Sequence, residues 1–243
     1  MNCEKVNPYD DRRDKSKQVR EMFDSIAPAY DFMNRAMTLG IDRIWRRKTV
    51  DKLRELPHDY ILDIATGTGD LAILMAQRLD PISITGVDLS EEMLEKGRKK
   101  VIDENLDDTI KLCQGDCLNL PFPDNMFDVV TSAFGVRNFE NLLAGYKEMH
   151  RVLKTGGTVS IIELSTPESA IVKPFYRAYT RGVIPAIGRL VSSDRRAYSY
   201  LPESIEAVPQ GEEMLELMRQ AGFSNCAYRT FTLGVCSVYT ATK

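Results

Sequence analysis

The chain has 243 residues, a net charge of −3 and five cysteines, which is enough for one α/β core with attached segments and does not require a second domain. The acidic balance argues against general nucleic-acid binding. The cysteines lack the spacing of a disulfide framework, so we expect reduced thiols and no structural metal. No apolar run approaches the roughly 20 residues that cross a bilayer, and no apolar signal segment follows the start, so we expect a cytoplasmic protein.

The first 57 residues predict helices ahead of the core. Residues 1–16 are polar and charged, so we expect them to be loosely held. An amphipathic pattern over 17–26 predicts a helix that Pro28 ends, and a second helix is expected over 39–53. Both helices precede the first predicted strand.

A glycine turn follows that strand, in the segment Ile61-Leu-Asp-Ile-Ala-Thr-Gly-Thr-Gly-Asp70. Gly67 and Gly69 allow the backbone of the turn to approach a ligand closely. About one βα unit later Asp88 ends another strand, at the side of the sheet where open α/β folds bind ligands. A carboxylate there can accept hydrogen bonds from both ribose hydroxyls, or it can help to cap the helix that begins near Ser90. The first interpretation predicts a nucleotide-type cofactor.

Two cofactors are compatible with this turn. The run from Gly67 to Ala72 satisfies the G-x-G-x-x-G/A pattern of NAD-binding proteins, so hydride transfer stays open. Asp63 in the strand and Asp70 in the first helical turn would repel a pyrophosphate. S-adenosylmethionine carries no phosphate and has an ammonium and a sulfonium group, so the acidic residues favour this methyl donor.

Strands and helices then alternate, which predicts a mostly parallel sheet. The expected helices cover 70–79, 90–104 and 140–152, and the expected strands cover 60–64, 82–88, 109–114, 127–133 and 158–164. Five prolines interrupt this alternation between residues 166 and 210 and indicate an insertion. A helix is expected over 212–221. The last two strands, over 225–232 and 235–241, are expected to form an antiparallel hairpin.

The order of these features resembles the class I S-adenosylmethionine-dependent methyltransferases. An acidic residue follows the second and third strands, at Asp88 and Asp116, and Phe127-Asp128 opens the fourth. The resemblance implies a Rossmann-like α/β fold with a seven-stranded sheet, N-terminal helices and a helical lid insertion. It also implies which residues touch the donor: Gly67, Thr68 and Gly69 the methionine part, Asp88 the ribose, and Asp116 with Cys117 the adenine.

We therefore expect one methyltransferase domain over residues 1–243. Its parts are an N-terminal helical cap (1–57), a cofactor-binding core (58–165), the lid insertion (166–210) and a C-terminal helix and hairpin (211–243).

Four further segments resemble the quinone-biosynthesis C-methyltransferases, the group of the demethylmenaquinone and ubiquinone pathways. They are Met22–Asn34, Leu39–Arg47, Phe134–Asn138 and Tyr200–Ile205. The resemblance implies conversion of a polyprenylated demethylmenaquinol to menaquinol. Ala133 departs from the serine of some members, so we leave it and Ser132 out of the expected site. The alternatives are a benzoquinol acceptor, another small molecule or lipid, an NAD-dependent reductase, and a non-catalytic assembly subunit.

The expected chemistry needs a group that stabilises a phenolate, because loss of a hydroxyl proton activates the neighbouring ring carbon. We assign this role to Arg137, with Asn138 orienting it or the ring; the alternative is a loop salt bridge and a helix cap. Tyr30, Asp31 and Asn34 either line the acceptor pocket or only cap and pack; on the first interpretation, we count Tyr30 with Arg137 and Asn138 as the expected catalytic residues. Neither histidine is well placed to accept the hydroxyl proton. The identity of the general base is therefore left open, and a water molecule held by polar groups is one candidate.

Basic and aromatic residues alternate through the lid, including Arg177, Arg181 and Arg189. This mixture favours a lid that also touches the inner membrane surface. The alternative is a helical pair with solvated arginines that packs on the sheet. A homodimer is compatible with either interpretation.

Overall fold

The structure, a computed structural model, describes residues 2–9, 12–184 and 195–243. The described strands are β1 Tyr60–Ile64, β2 Ser83–Asp88, β3 Ile110–Gln114, β4 Phe127–Ala133, β5 Leu153–Leu164, β6 Ser224–Phe231 and β7 Cys236–Thr242. They form one sheet in the order β3-β2-β1-β4-β5-β7-β6. Strand β7 runs antiparallel to both of its neighbours, and the remaining pairs are parallel. The predicted α/β class, the mostly parallel sheet and the C-terminal hairpin are confirmed.

Helices flank this sheet on both faces. The described α-helices are α1 Asn2–Lys5, α2 Lys15–Ile26, α3 Tyr30–Thr38, α4 Asp42–Leu53, α5 Asp70–Leu79, α6 Glu91–Asp103, α7 Leu142–Val152, α8 Val172–Ala178, α9 Arg195–Ala207 and α10 Glu212–Gln220. A π-helical turn, Tyr179–Val183, continues α8. Within the described chain, no helix is both long enough and apolar enough to span a bilayer.

Side chains of β1 alternate between two apolar layers, as the period of a strand requires. Ile61 packs with α4, α5 and α6, whereas Leu62 and Ile64 pack with α7 and α10. A third cluster joins the N-terminal helices to the insertion and includes Met22, Ile26, Met33, Ile184 and Tyr200. This cluster holds α2, α3 and α9 together.

Helix α3 is absent from the sequence prediction. Pro28 lies in a 3-10 turn, Ala27–Ala29, at the start of which proline is tolerated, and the chain resumes a helix at Tyr30. The proline therefore separates two helices instead of opening a loop. Strand β5 also differs, because it begins at Leu153 rather than at residue 158.

The expectation that residues 1–16 are loosely held is wrong for the described part of that segment. Cys3 is buried in the main core, and Lys15 is also buried. The Lys15 ammonium donates to the carbonyl oxygens of Cys3 at 2.6 Å and Arg137 at 3.3 Å. Glu4 accepts from the backbone N–H of Leu142, at the start of α7. Backbone partners at fixed positions satisfy these charges, so a polar composition did not keep the segment in solvent.

The insertion contains α8, the π-helical turn and α9, in agreement with a helical segment. Arg189, which the sequence placed in the basic and aromatic stretch, lies outside the described residues.

Candidate active site

A cavity lies at the carboxyl ends of β1 to β4. The strand ends line it with Ala65, Gly67, Asp88, Leu89, Ser90, Gly115, Asp116, Cys117, Leu118, Ala133, Phe134 and Gly135, and α2 adds Val19, Arg20 and Phe23. Strands β1 and β4 are neighbours here, while β2 and β5 lie on opposite sides of them. This is the switch point at which open α/β sheets bind ligands. We call it the first cavity.

Asp88 connects the glycine turn to the end of β2. Its Oδ2 accepts from the backbone N–H of Gly67 at 2.8 Å, and its Oδ1 accepts from that of Ser90 at 2.9 Å. Burial raises the pKa of Asp88, and these backbone donors oppose the rise. Ser90 itself caps α6 by accepting from Met93. Capping alone therefore does not account for Asp88, which also fixes the turn and keeps lone pairs for a ligand in the cavity.

Asp116 and Cys117 line the same cavity after β3. Asp116 Oδ1 accepts from the backbone N–H of Leu118 at 2.9 Å, so the residue also stabilises the local turn. Burial raises the pKa of the Cys117 thiol well above its usual value, with a further contribution from Asp116. The thiol is therefore a neutral, apolar part of the wall.

Thr68 and Gly69 lie outside the lining of the first cavity. The Thr68 hydroxyl instead donates to Asp31 Oδ1 at 2.7 Å and accepts from Lys100 at 2.9 Å. Asp31, expected near the acceptor, is held by the same lysine. Gly67 therefore lines the first cavity, whereas Thr68, Gly69 and Asp31 do not.

The electrostatic argument from Asp70 is wrong in its detail. Asp70 lies outside the cavity lining and pairs with Lys100 at 2.7 Å. Burial alone would raise the pKa of Asp70, but the positive charges of Lys100 and Arg46 outweigh burial and lower it. Its charge is thus compensated and does not act on a ligand at the turn as expected.

Other acidic residues give the first cavity its charge. Asp88, Asp116 and Glu140 line it, and Arg20 is the basic residue of its described lining. Arg20 lies 3.7 Å from Asp24, which reduces its effect further. This lining suits a cationic ligand better than a diphosphate.

Asp63 lies under the glycine turn, where it accepts from the hydroxyls of Thr66 and Thr131 at 2.7 Å each. It is buried, and burial raises its pKa to about 6. Because this value exceeds that of an unfolded aspartate, the folded state holds the proton more tightly, and stability falls as the pH rises from about 4 to about 6.

We expect Asp63→Asn to remove this dependence. Between pH 4 and pH 7, the unfolding free energy of the unchanged protein should fall by up to about 3 kcal/mol relative to the variant, at 1.36 kcal/mol per pKa unit. Urea unfolding at several pH values measures the difference. A difference that is constant with pH would contradict the raised pKa.

A second cavity lies between the α3–α4 connection, the lid and the β6–β7 turn. Its lining is mostly apolar and includes Met37, Leu39, Ile41, Trp45, Phe134, Leu164, Val172, Phe175, Ile184, Leu201, Ile205 and Val235. Among the described residues of this lining, Asp42 and Arg137 are charged. A large apolar ring with a few polar substituents fits such walls.

Phe134 lines both cavities. Its φ of +61° is in the left-handed region, which a bulky residue rarely adopts, and Ala65 at the end of β1 has a φ of +53°. Gly135 lies between them: a Cβ there would come within 2.5 Å of the Ala65 Cβ. Strained backbone of this kind is typical of functional sites. The geometry makes Phe134 the shared wall between the two cavities.

The three predicted catalytic residues meet around a third, smaller cavity, which Tyr30, Arg137 and Asn138 all line. Tyr30 and Asn138 also line the first cavity, and Arg137 lines the second. The Asn138 Oδ1 accepts from the Tyr200 hydroxyl at 3.1 Å. The structure therefore brings these residues together between the two larger spaces.

Arg137 forms the salt bridge that was its alternative role, and its partner is Glu163 of β5. Nη1 of the arginine lies 2.8 Å from Oε1 of the glutamate, and both side chains are buried. Glu163 Oε2 also accepts from the Arg137 backbone N–H at 3.2 Å. The Nε of Arg137 is buried without a hydrogen-bond partner in the described chain. The hydrogen bonds of the guanidinium within the described chain thus use Nη1, and other donors of the group stay unused.

Several site residues were missed by the sequence interpretation. Ala133, which was left out, lines the first cavity because it ends β4. Asp42 and Glu163 were not considered, since one lies in a predicted helix and the other in a predicted strand. Phe134 was used only as part of a family signature, although a bulky residue followed by glycine directly after a strand is itself a signal for a strained turn.

Comparison with known proteins gives a consistent result. Residues 11–243 match the model of the ubiE/COQ5 methyltransferase family. A protein of Bacteroides fragilis named demethylmenaquinone methyltransferase is 50% identical over 240 residues, 99% of this chain and 98% of that protein. Relatives with the same name are 47% and 42% identical.

Two solved structures share the fold. The cyclase SpnF has a TM-score of 0.69 at 19% identity and covers 94% of this chain and 96% of its own. A SAM-dependent methyltransferase of Thermotoga maritima has a TM-score of 0.64 at 20% identity, with 92% and 99% covered. At such identities the likeness concerns the fold alone.

Proposed function

Since this chain belongs to the ubiE/COQ5 methyltransferase family, we propose that it transfers a methyl group from S-adenosylmethionine to a ring carbon of demethylmenaquinol, forming menaquinol. The names of relatives that are 42% to 50% identical support this acceptor. The observation that carries the proposal is the pair of cavities, one acidic and one apolar, that meet at Phe134.

The first cavity fits the donor. Asp88 offers carboxylate lone pairs to the ribose hydroxyls, Asp116 and Cys117 border the adenine, and the turn at Gly67 borders the methionine part. The acidic lining suits a ligand with ammonium and sulfonium groups. When bound, S-adenosylmethionine supplies an electrophilic methyl group.

The second cavity fits the quinol, whose fused ring and prenyl tail require apolar walls. Arg137 lines this cavity and stabilises the phenolate oxygen with its guanidinium, while Glu163 holds that group in place. Asn138, bound to Tyr200, orients the ring beside it. These residues act by alignment and charge stabilisation, which is what attack on a methyl carbon needs.

The test is mass spectrometry of chemically reduced demethylmenaquinone after incubation in detergent with the protein and S-adenosylmethionine. We expect the gain of one ring methyl, absent without donor. A demethylated benzoquinol is run in parallel, and a faster reaction with it would favour the ubiquinone-type acceptor. Donor binding without methylation of either quinol would contradict the proposal and favour the non-catalytic alternative.

We further propose that the opening of the second cavity rests on the cytoplasmic membrane, since a polyprenyl tail is too apolar to leave the bilayer. Four large exposed side chains belong to the lining of this cavity or are next to it in sequence, and we call them the mouth surface: Leu39, Ile171, Phe175 and Leu233, which are 76%, 78%, 75% and 76% exposed. Leu39 and Phe175 line the cavity directly, and the other two adjoin lining residues. Exposed apolar groups around an apolar cavity mark an interaction site.

Arg177 and Arg181 of the lid contribute less to the attraction to a membrane surface than the sequence pattern predicts. Arg181 binds Glu206 at 2.7 Å, and Arg177 lies 3.9 Å from the same carboxylate. Because one acid partly neutralises both, the mouth surface is the stronger candidate for contact with lipid.

We expect the double change Phe175→Ser and Leu233→Ser to weaken binding to phospholipid vesicles by about tenfold or more, because each side chain contributes about 1.5–3 kcal/mol when buried. Vesicle co-sedimentation measures the effect. Ile102→Ser is the matched control, since Ile102 is 61% exposed and lies on α6 outside the second cavity. Equal loss in the control and the double variant would contradict membrane contact through the mouth surface.

A further inference from the structure

Asp42 is a carboxylate inside the mostly apolar second cavity. It is the first residue of α4, lines the cavity and is 3% exposed. It is also the single carboxylate in the described lining of that cavity. An ionised carboxylate is costly to bury unless its partners or a function retain it.

The contacts of Asp42 leave both of its oxygens with unused lone pairs. The Thr38 hydroxyl lies 2.8 Å from Oδ1 and 2.7 Å from the carbonyl oxygen of Asn34, so its one proton serves one of these acceptors at a time. Oδ2 lies 3.7 Å from Nη1 of Arg46, which exceeds hydrogen-bond distance. The carboxylate is thus in contact with Thr38, kept near a positive charge, and left with capacity to accept a proton.

Arg46 relates Asp42 to the wall that both ligands share. Its guanidinium lies 5.1 Å from the centroid of the Phe134 ring. Its Nε is buried without a hydrogen-bond partner in the described part of the chain. The positive charge of this arginine thus lies near both the Asp42 carboxylate and the ring that separates the two cavities.

We propose that Asp42 is the general base that accepts the hydroxyl proton of the quinol. The inference rests on the proposed methyl transfer and names the base for it. Arg137 and Asp42 then divide the work: the arginine stabilises the phenolate oxygen, and the aspartate takes its proton.

The step balances as follows in atoms and charge. The hydroxyl proton moves to Asp42, and the electron pair left on oxygen feeds the neighbouring ring carbon. That carbon bonds the methyl group as the bond between methyl and sulfur breaks, which leaves a neutral ring ketone. The ring carbon then loses its own proton to water, and Asp42 returns its proton to the oxygen, which restores the aromatic hydroxyl.

A purely structural role predicts different behaviour. Asp42 would then serve only Thr38 and the N-terminus of α4, where an acidic side chain is favourable. Its replacement would lower stability, and turnover per folded molecule would be nearly unchanged for acceptors of any acidity.

The experiment compares Asp42→Asn with the unchanged protein, using quinol analogues whose hydroxyls differ in acidity through ring fluorination. We expect kcat with the natural acceptor to fall about 100-fold or more, the usual range for a lost general base. The affinity for S-adenosylhomocysteine should be unchanged. The more acidic analogue should recover much of the loss in the variant and gain little in the unchanged protein, because it ionises without help.

Asp42→Glu is the second variant, because it keeps a carboxylate; we expect a rate between those of the other two proteins. This variant also tests the inference if Asp42→Asn does not fold. A methylation rate that depends as little on the acidity of the acceptor hydroxyl as that of the unchanged protein would then support a carboxylate as the general base. Retention of kcat within threefold by folded Asp42→Asn, or equal response to the acidic analogue, would overturn the inference while leaving the methyl transfer intact. No methylation by the unchanged protein would overturn both.

Discussion

Asp88→Ala is expected to weaken binding of S-adenosylmethionine by roughly 100-fold or more and to lower methyl transfer by at least as much at limiting donor. Each hydrogen bond to a carboxylate contributes about 1.5–3 kcal/mol, and 1.4 kcal/mol is tenfold in affinity. Two ribose hydroxyls would lose their acceptor. The change also removes the bonds to Gly67 and Ser90, so the glycine turn loses its attachment to β2. Isothermal titration calorimetry with the donor measures the effect.

Two further variants separate these contributions. Asp88→Asn keeps the size and one oxygen but places an amide N–H against a backbone donor, so we expect an intermediate loss. Asp116→Ala removes an acid from the same cavity but not the attachment of the turn, and we expect a loss of about tenfold. Equal affinities for Asp88→Ala and the unchanged protein would show that the donor does not bind at the end of β2.

Arg137→Met is expected to lower kcat by 100-fold to 1000-fold and to destabilise the fold by about 3–5 kcal/mol. The kinetic effect follows from loss of the phenolate stabiliser. The stability effect follows because Glu163 would remain buried without its partner, and breaking a buried pair on one side is strongly unfavourable. Single-turnover kinetics and urea unfolding measure the two quantities on the same preparation.

The double variant Arg137→Met with Glu163→Leu distinguishes a structural from a chemical role. Replacement of both members of a buried pair by apolar groups is often neutral for stability. We therefore expect the double variant to recover most of the lost stability and none of the lost turnover. Recovery of both would mean that Arg137 only holds Glu163.

The central sheet was predictable because its strands are short apolar runs closed by glycines or acids. Gly67, Asp88 and Asp116 follow strand ends directly, so their meeting at one edge follows from the parallel arrangement alone. Local pattern and tertiary position agree for these residues, and four of the six expected donor residues line the first cavity.

The rest depends on contacts that the local pattern does not contain. Asp70 and Thr68 are adjacent to the turn in sequence, but Lys100 on α6 binds both and holds them outside the cavity. Lys15 is buried by carbonyl oxygens that include that of Arg137, far along the chain. Asp42 and Glu163 become site residues only when α4 and β5 border the same space. Sequence patterns indicate which elements form, and long-range pairing decides which polar groups reach the site.

The shared wall at Phe134 has a thermodynamic consequence. Because one ring lines both cavities, packing against it from one side changes its contacts on the other, and we expect ligands in the two cavities to be energetically linked. Linkage is reciprocal: whatever factor the bound donor contributes to acceptor affinity, the bound acceptor contributes to donor affinity. Tyr30, Arg137 and Asn138, which lie between the two cavities, add further contacts through which one ligand can act on the other. We therefore expect the affinity measured for either ligand to depend on whether the other is bound.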